Sequence, residues 1–421
     1  MTNRFDLDEK TLCADFARIC DCGGRLSGTE SEAAATTCLE TLGRKATGAR
    51  VRAAEIAYEG WSALSWSLKG PDGSAHVCHP LVRTVGTPSE GLEAEIVDLG
   101  RGTPDEFEAH RNEIPGRIAL VRHELMFAAG TIHRRKKYQA AIENGAIGFL
   151  IAGPLSGHPV AGSSGRGSGP GIPALGITPE TATALARRST GFANVRMAIE
   201  VEEKPATAQN LFFEMKGQTD EWVVLSAHID GHDLAESAMD NASGLAVALA
   251  VARELAPGMA ERRRGLRLAF FNVEEWALTG SESYVAGLSE AERLAIKLNV
   301  NLDSVAGGGQ LTALTSNFAG LEPFLLEQSE SCDVPLGLYR PHQMNSDHGN
   351  FANAGIPAFR LVAGFNDTSA ATRLVLTPED TRDKVSAEEL AKAARLAWQI
   401  TNAALDASPE MVSQWRLERV M

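Results

Sequence analysis

From residue 209 onward, short apolar runs of strand length alternate with helical stretches. Residues 221–227 (EWVVLSA), 266–273 (LRLAFFNV), 296–302 (IKLNVNL) and 357–362 (PAFRLV) read as buried strands. Residues 243–256 read as a helix stopped by Pro257-Gly258. A last helix opens at Ser386, where Glu389 completes a capping box, and runs to about Leu405. Such alternation predicts an α/β fold, a mostly parallel sheet with helices on both faces. A chain of 421 residues, 44% of them hydrophobic, can fill a large core and form two or three domains.

Two compositional breaks divide the chain, at 69–75 (KGPDGSA) and at 199–208 (IEVEEKPATA). They predict a first part of the main domain over 1–75, a small inserted α/β domain over 76–199, and the rest of the main domain over 200–421. Within the insert, residues 115–125 read as a turn and strand, Tyr138 to Asn144 as a helix, and 146–153 as a strand. IPALGIT then leads into a helix from Pro179. The glycine-rich stretch 162–171 lacks the Gly-Lys-Ser/Thr ending of a phosphate loop and is expected to be a surface loop. The basic run Arg134-Arg135-Lys136-Lys137 is expected to be a solvated helix start. His76 and His79 flank Cys78 at a domain junction with no fourth ligand, so no metal is expected there.

The chemistry-bearing residues gather just after the strands. His228 and Asp230 follow 221–227, Asp240 precedes the helix at 243, Glu274 and Glu275 follow 266–273, and Asp303 follows 296–302. Open α/β sheets bind ligands beyond the carboxyl ends of their strands, so these side chains can meet in one crevice. Imidazole and carboxylate donors suit zinc, and equally manganese or cobalt.

These motifs carry a resemblance. HIDGHDLAESAMDNASG (228–244), NVEEWALTGSE (272–282), NLD (301–303), SDHGNF (346–351) and LTPEDTRDKV (376–385) resemble, in order, the motifs of zinc exopeptidases of leucyl-aminopeptidase and glutamate-carboxypeptidase type. Residues 76–199 resemble the protease-associated domain often inserted in them. The resemblance implies that His228 and Asp303 hold one metal, that Asp240 bridges two, and that Glu275 binds the second. It implies that Glu274 is the general base toward the attacking water and that Asp230 stands behind His228 and fixes its tautomer. Asp347 and His348, in the Ser-Asp-His motif, would support the pocket, and His232 would be a pocket-wall or loop residue.

The sequence departs from that pattern at one point. Where the resemblance places a histidine that completes the second metal site, directly before Thr377, stands Leu376. Leucine offers no donor, so one divalent metal is expected, held by His228, Asp240 and Asp303, with His342 or His348 as candidate replacements.

The resemblance makes a hydrolase of C–N bonds, with a small molecule as substrate. Among diverged members of this plan the chain looks like the 5-nitroanthranilate aminohydrolases, which implies replacement of an activated aromatic amine by hydroxide with loss of ammonia. A metallo-aminopeptidase, dipeptidase or small-amide hydrolase is the alternative, and a non-catalytic binding module a second one. Glu274, which has no ligand role, argues against the binding module. Acids outnumber bases 54 to 40, a net charge of −14, which disfavours nucleic acid and anionic membrane as partners. The first ten residues show no apolar signal region, no run of 18 apolar residues occurs, and the six cysteines form no C-x-x-C pair. A cytoplasmic protein with reduced thiols is the expectation; a homo-oligomer is left open.

Overall fold

The computed structural model describes residues 5–167, 169–186 and 193–416. One mixed sheet runs through the molecule. At its centre, strands Gly265–Phe271, Trp222–His228, Ile296–Leu302 and Ala358–Ala363 lie parallel, in that order. Beyond Ala358–Ala363, strand Leu311–Leu314 turns antiparallel and is followed by Leu336–Tyr339. On the other side, strand Ala193–Met215 runs antiparallel to Gly265–Phe271 and carries the sheet into the insert. There Leu92–Asp98, Ile118–Arg122, Gly148–Ala152 and Ala174–Ile177 are parallel neighbours.

The second compositional break is therefore not a linker. Ala193–Met215 is one strand, and residue 199 lies inside it. It pairs with Val51–Lys69 from Val51↔Phe213 to Lys69↔Arg196, and Pro205 faces Glu59 across the ribbon. Between the two sheet regions this ribbon is largely open to solvent, which selects charged side chains in strand conformation. A proline is tolerated there because that segment has an open edge.

Helix Gly244–Leu255 is apolar on all sides and buried nearly throughout, as a helix sandwiched between a sheet and other helices must be. It packs into the same core as the central strands, helix Glu9–Cys20, helix Glu30–Thr47 and helix Ala387–Asp406. The last of these has its capping box, with Ser386 Oγ accepting from the Glu389 amide (3.2 Å) and Glu389 accepting from the Ser386 amide (3.0 Å). It is followed by a further short helix, Pro409–Trp415, begun by a proline at its first turn. Among the described residues no helix is long and apolar enough to cross a membrane.

The insert's apolar core does not end at the insert. Leu81, Phe107, Phe149 and Val160 pack in one cluster with Met239, Val362, Leu374 and Leu376 of the main domain. That shared core fixes one edge of the insert over the carboxyl ends of the central strands.

Candidate metal centre

The cleft forms where strand ends, a kinked turn and the insert meet. His228 is the last residue of its strand and is buried. Its Nδ1 lies 3.0 Å from the carbonyl oxygen of Asp230, which selects the tautomer with Nε2 as donor atom for a cation. Nε2 faces Asp240 Oδ1 at 2.9 Å and Asp303 Oδ1 at 3.6 Å. One ligand atom from each of His228, Asp240 and Asp303 falls within 4.8 Å of the others, the only such group among the described residues.

The electrostatics of this cluster call for a cation. Burial, reinforced by the charge of Asp303, pushes the Asp240 carboxyl above the usual carboxylate range, against the pull of His228. Burial and its acidic neighbours Glu275, Asp303 and Asp347 raise Glu274 well above it. Burial and Asp240 lift Glu275 to about 7. Burial would lower His228, yet the surrounding carboxylates hold it well above an ordinary imidazole. Asp303 is the exception. Burial would raise it, but Arg360 and His228 hold it well below. Crowded buried carboxylates beside an imidazole are a donor set that a divalent ion stabilises, so the three residues fit such an ion.

Glu274 and Glu275 follow Val273, whose φ of 58° lies in the left-handed region that a β-branched residue disfavours. The turn sends both carboxylates into the cleft, where they join Asp240, Asp303 and Leu376. Asp230 does its work differently from the expectation. Its carboxylate is 3.9 Å from His228 Nδ1, too far to bond, and its backbone carbonyl sets the tautomer instead. The carboxylate accepts from the amides of Glu274 (2.9 Å) and Glu275 (3.0 Å) and from Ser27 Oγ (3.0 Å).

Other expected site residues fall elsewhere. Glu275 lines the cleft but lies outside the three-ligand group, and neither His342 nor His348 joins it. His348 is fully buried, and burial together with Arg360 lowers it to about 3. Asp347 is fully buried near Glu274, and burial raises it to about 7. His232 does not line the cleft; its Nε2 faces Asp380 Oδ2 at 3.6 Å, and Asp380 in turn accepts from the Met239 amide (2.7 Å), beside Asp240. His79 pairs with Asp233 at 3.2 Å across the domain junction.

Three arginines are missing from the expected site. Arg25 is fully buried and donates to the carbonyls of Ile229, Glu236 and Ser237, clamping the loop after His228. Arg360 donates to Asp303 Oδ1 (3.0 Å) and to the Asn345 carbonyl (3.0 Å), and stacks on Phe127 of the insert at 4.9 Å. A charged residue in the apolar run PAFRLV is the signal that could have found it. Arg134 corrects the reading of the basic run as solvated: it is 5% exposed, lines the cleft, and lies beside Lys137, which is 1% exposed. The glycine-rich stretch is likewise not a plain surface loop, since Ser163 and Ser164 are buried and Ser163 lines the cleft.

With the cleft described, its relatives can be placed. Residues 210–401 match the model of peptidase family M28, and residues 79–185 match the PA domain. The 210–401 segment is a peptidase family M28 domain. Aminopeptidase YwaD of Bacillus subtilis is 27% identical over 318 residues, 74% of this chain and 66% of its own length. A probable lipoprotein aminopeptidase, LpqL of Mycobacterium tuberculosis, is 26% identical over 69% of this chain and 60% of its own. The matched regions thus span less than two thirds of these relatives. BSAP, a zinc aminopeptidase from Bacillus subtilis, superposes with a TM-score of 0.76 at 24% identity over 96% of both chains. An aminopeptidase from Aneurinibacillus superposes with a TM-score of 0.73 at 24% identity, over 96% of this chain and 95% of that one. The described residues, insert included, therefore have the fold of these enzymes.

Proposed function

We propose that this cleft hydrolyses the C–N bond of a peptide or small amide, using one divalent metal, zinc in the first place, held by His228, Asp240 and Asp303. The observation that carries the reading is the approach of those three donor atoms to within 4.8 Å, with the buried Glu274 carboxylate lining the same cleft. A bound metal supplies a Lewis acid that makes water acidic and stabilises negative charge on oxygen. Glu274 takes the proton of the attacking water and returns it to the leaving nitrogen. Asp230 positions the Glu274 backbone, and Arg360 steadies Asp303.

The likeness to proteins named as aminopeptidases favours a peptide bond over the aromatic amine expected from the closer resemblance. One observation keeps the aromatic reading as a second one: Met126, Phe127 and Leu376 give the cleft an apolar side. The test is product analysis with zinc-loaded protein on a leucine dipeptide and on 5-nitroanthranilate. Amino-acid release is expected. Ammonia release from the nitroaromatic alone would transfer the assignment to an aminohydrolase, and no turnover of either would remove it.

A further inference from the structure

We propose that Phe127, carried in by the inserted domain, is a positioning residue for the metal: its ring locks Arg360 against Asp303, so that the insert sets how tightly the centre holds its ion. This rests on the reading of His228, Asp240 and Asp303 as the ligands of one divalent metal and adds to it a residue from the other domain.

Arg360 sits within the strand Ala358–Ala363 and is 2% exposed. Its only ion pair among the described residues is with Asp303. Nη2 donates to Asp303 Oδ1 (3.0 Å) and Nε to the Asp303 carbonyl (3.3 Å), while Nη1 donates to the Asn345 carbonyl (3.0 Å). The edge of the guanidinium therefore holds both the side chain and the backbone of one metal ligand. The oxygen it holds, Asp303 Oδ1, is also the one that faces His228 Nε2 at 3.6 Å. Ser304 Oγ donates to that same oxygen at 3.1 Å.

Edge donors fix a guanidinium within its own plane, and its flat face is left for a stacking partner. Phe127 supplies that partner, with Arg360 Cζ 4.9 Å from the ring centroid. The ring is 3% exposed, and a cation over a ring is held more strongly where water is excluded. The ring is itself pinned to the chain just past the strand that carries Arg360. The Phe127 carbonyl accepts from the Asn366 amide (2.7 Å), and Asn366 Oδ1 accepts from the Ala129 amide (2.8 Å). Ring, guanidinium and ligand thus form one chain of contacts from the insert to the metal position. Without the ring, water reaches the guanidinium face and competes for its donors, and Asp303 loses its fixed aim. Phe127 also lines the cleft, so a contact with substrate is the competing role. Zinc binding measured with no substrate present separates the two.

The test is the zinc affinity of the metal-stripped full chain, read by competition with a chromophoric chelator. Arg360→Met should weaken zinc binding by about 10–100-fold, the usual cost of losing a supporting partner of a metal ligand. Phe127→Ala should weaken it by about tenfold. Phe127→Leu keeps an apolar cover without a π face and should weaken it by at least about threefold. Combined with Arg360→Met, either Phe127 change should cost no more than about a further twofold, because the ring acts only through the guanidinium. Circular dichroism checks each fold, and if Phe127→Ala does not fold, Phe127→Leu carries the comparison. Zinc affinity unchanged or tighter in the folded Phe127 variants, or losses that add in the double variant, would overturn the proposal. His228→Ala tests the reading beneath it. Zinc binding that survives in His228→Ala would defeat the assigned centre itself. Zinc lost in His228→Ala but held normally in the Phe127 variants would defeat the role of Phe127 alone.

Discussion

The carboxylate of Asp230 holds Glu274 by its backbone, accepting the Glu274 amide at 2.9 Å while the Glu274 side chain stays clear to act in the cleft. The same carboxylate takes the Glu275 amide at 3.0 Å. One acid thus fixes the strand end that carries two others, and its own carbonyl orients His228. Replacing it by asparagine keeps the shape and turns one acceptor into a donor facing an amide. Asp230→Asn should lower turnover by about 10–100-fold, the usual cost of disturbing a supporting partner of a metal site, with kcat falling more than KM rises. Steady-state kinetics on a dipeptide reads this directly.

Glu274→Gln removes the proton acceptor and keeps the volume. Turnover should fall by about 10²–10⁴-fold, the range for loss of a general base. Zinc content by elemental analysis should stay at the wild-type value, since Glu274 is outside the three-ligand group. Near-normal turnover would place the base elsewhere.

Metal and stability are linked through His228. Zinc at 100 times its dissociation constant should stabilise the protein by about 2.7 kcal/mol, and chelation should reverse it. In His228→Ala, which loses the only nitrogen donor of the group, added zinc should leave the denaturant midpoint almost unmoved.

Leu376 and Arg134 make opposite demands on a second metal. If the leucine alone prevented it, Leu376→His would restore a second ion. With the Arg134 guanidinium lining the same cleft and lying, like Leu376, close over Gly162, Leu376→His should still bind one zinc per chain, and only Leu376→His combined with Arg134→Met should bind two. Elemental analysis of the single and double variants decides between them.

His123 gives a pH dependence with a defined sign. Buried and lowered to about 3, it is neutral in the folded state down to that pH, while the unfolded chain takes up a proton below about 6.5. The unfolded state then binds more protons, so this group costs nothing above pH 6.5 and destabilises progressively as pH falls from there. At pH 5 the loss is about 2 kcal/mol, from roughly 1.4 kcal/mol per pH unit. Urea unfolding at pH 7 and pH 5 should show His123→Gln losing about that much less than wild type; parallel losses would show that the histidine is already protonated when folded.

The sequence by itself determined the catalytic half of the fold and the acids of its cleft. Strand-length apolar runs ending in His228, Glu274 and Asp303 are local signals, because a parallel strand buried on both faces must be apolar and the residue after it must face the crevice. The missing donor at Leu376 was legible only through the resemblance, as one position in an ordered motif. Only the tertiary structure decided the cations. Arg134 and Lys137 lie in a run that reads as solvent-exposed, Arg25 is 204 positions from the carbonyl it clamps at Ile229, and Arg360 reaches back 57 to Asp303. A charged side chain is hydrophilic in any local reading, and its burial becomes tolerable only through partners that the folded chain brings from elsewhere. The strand around Pro205 was hidden for the converse reason: its two exposed faces impose no apolar period, and its partner lies far off at Glu59.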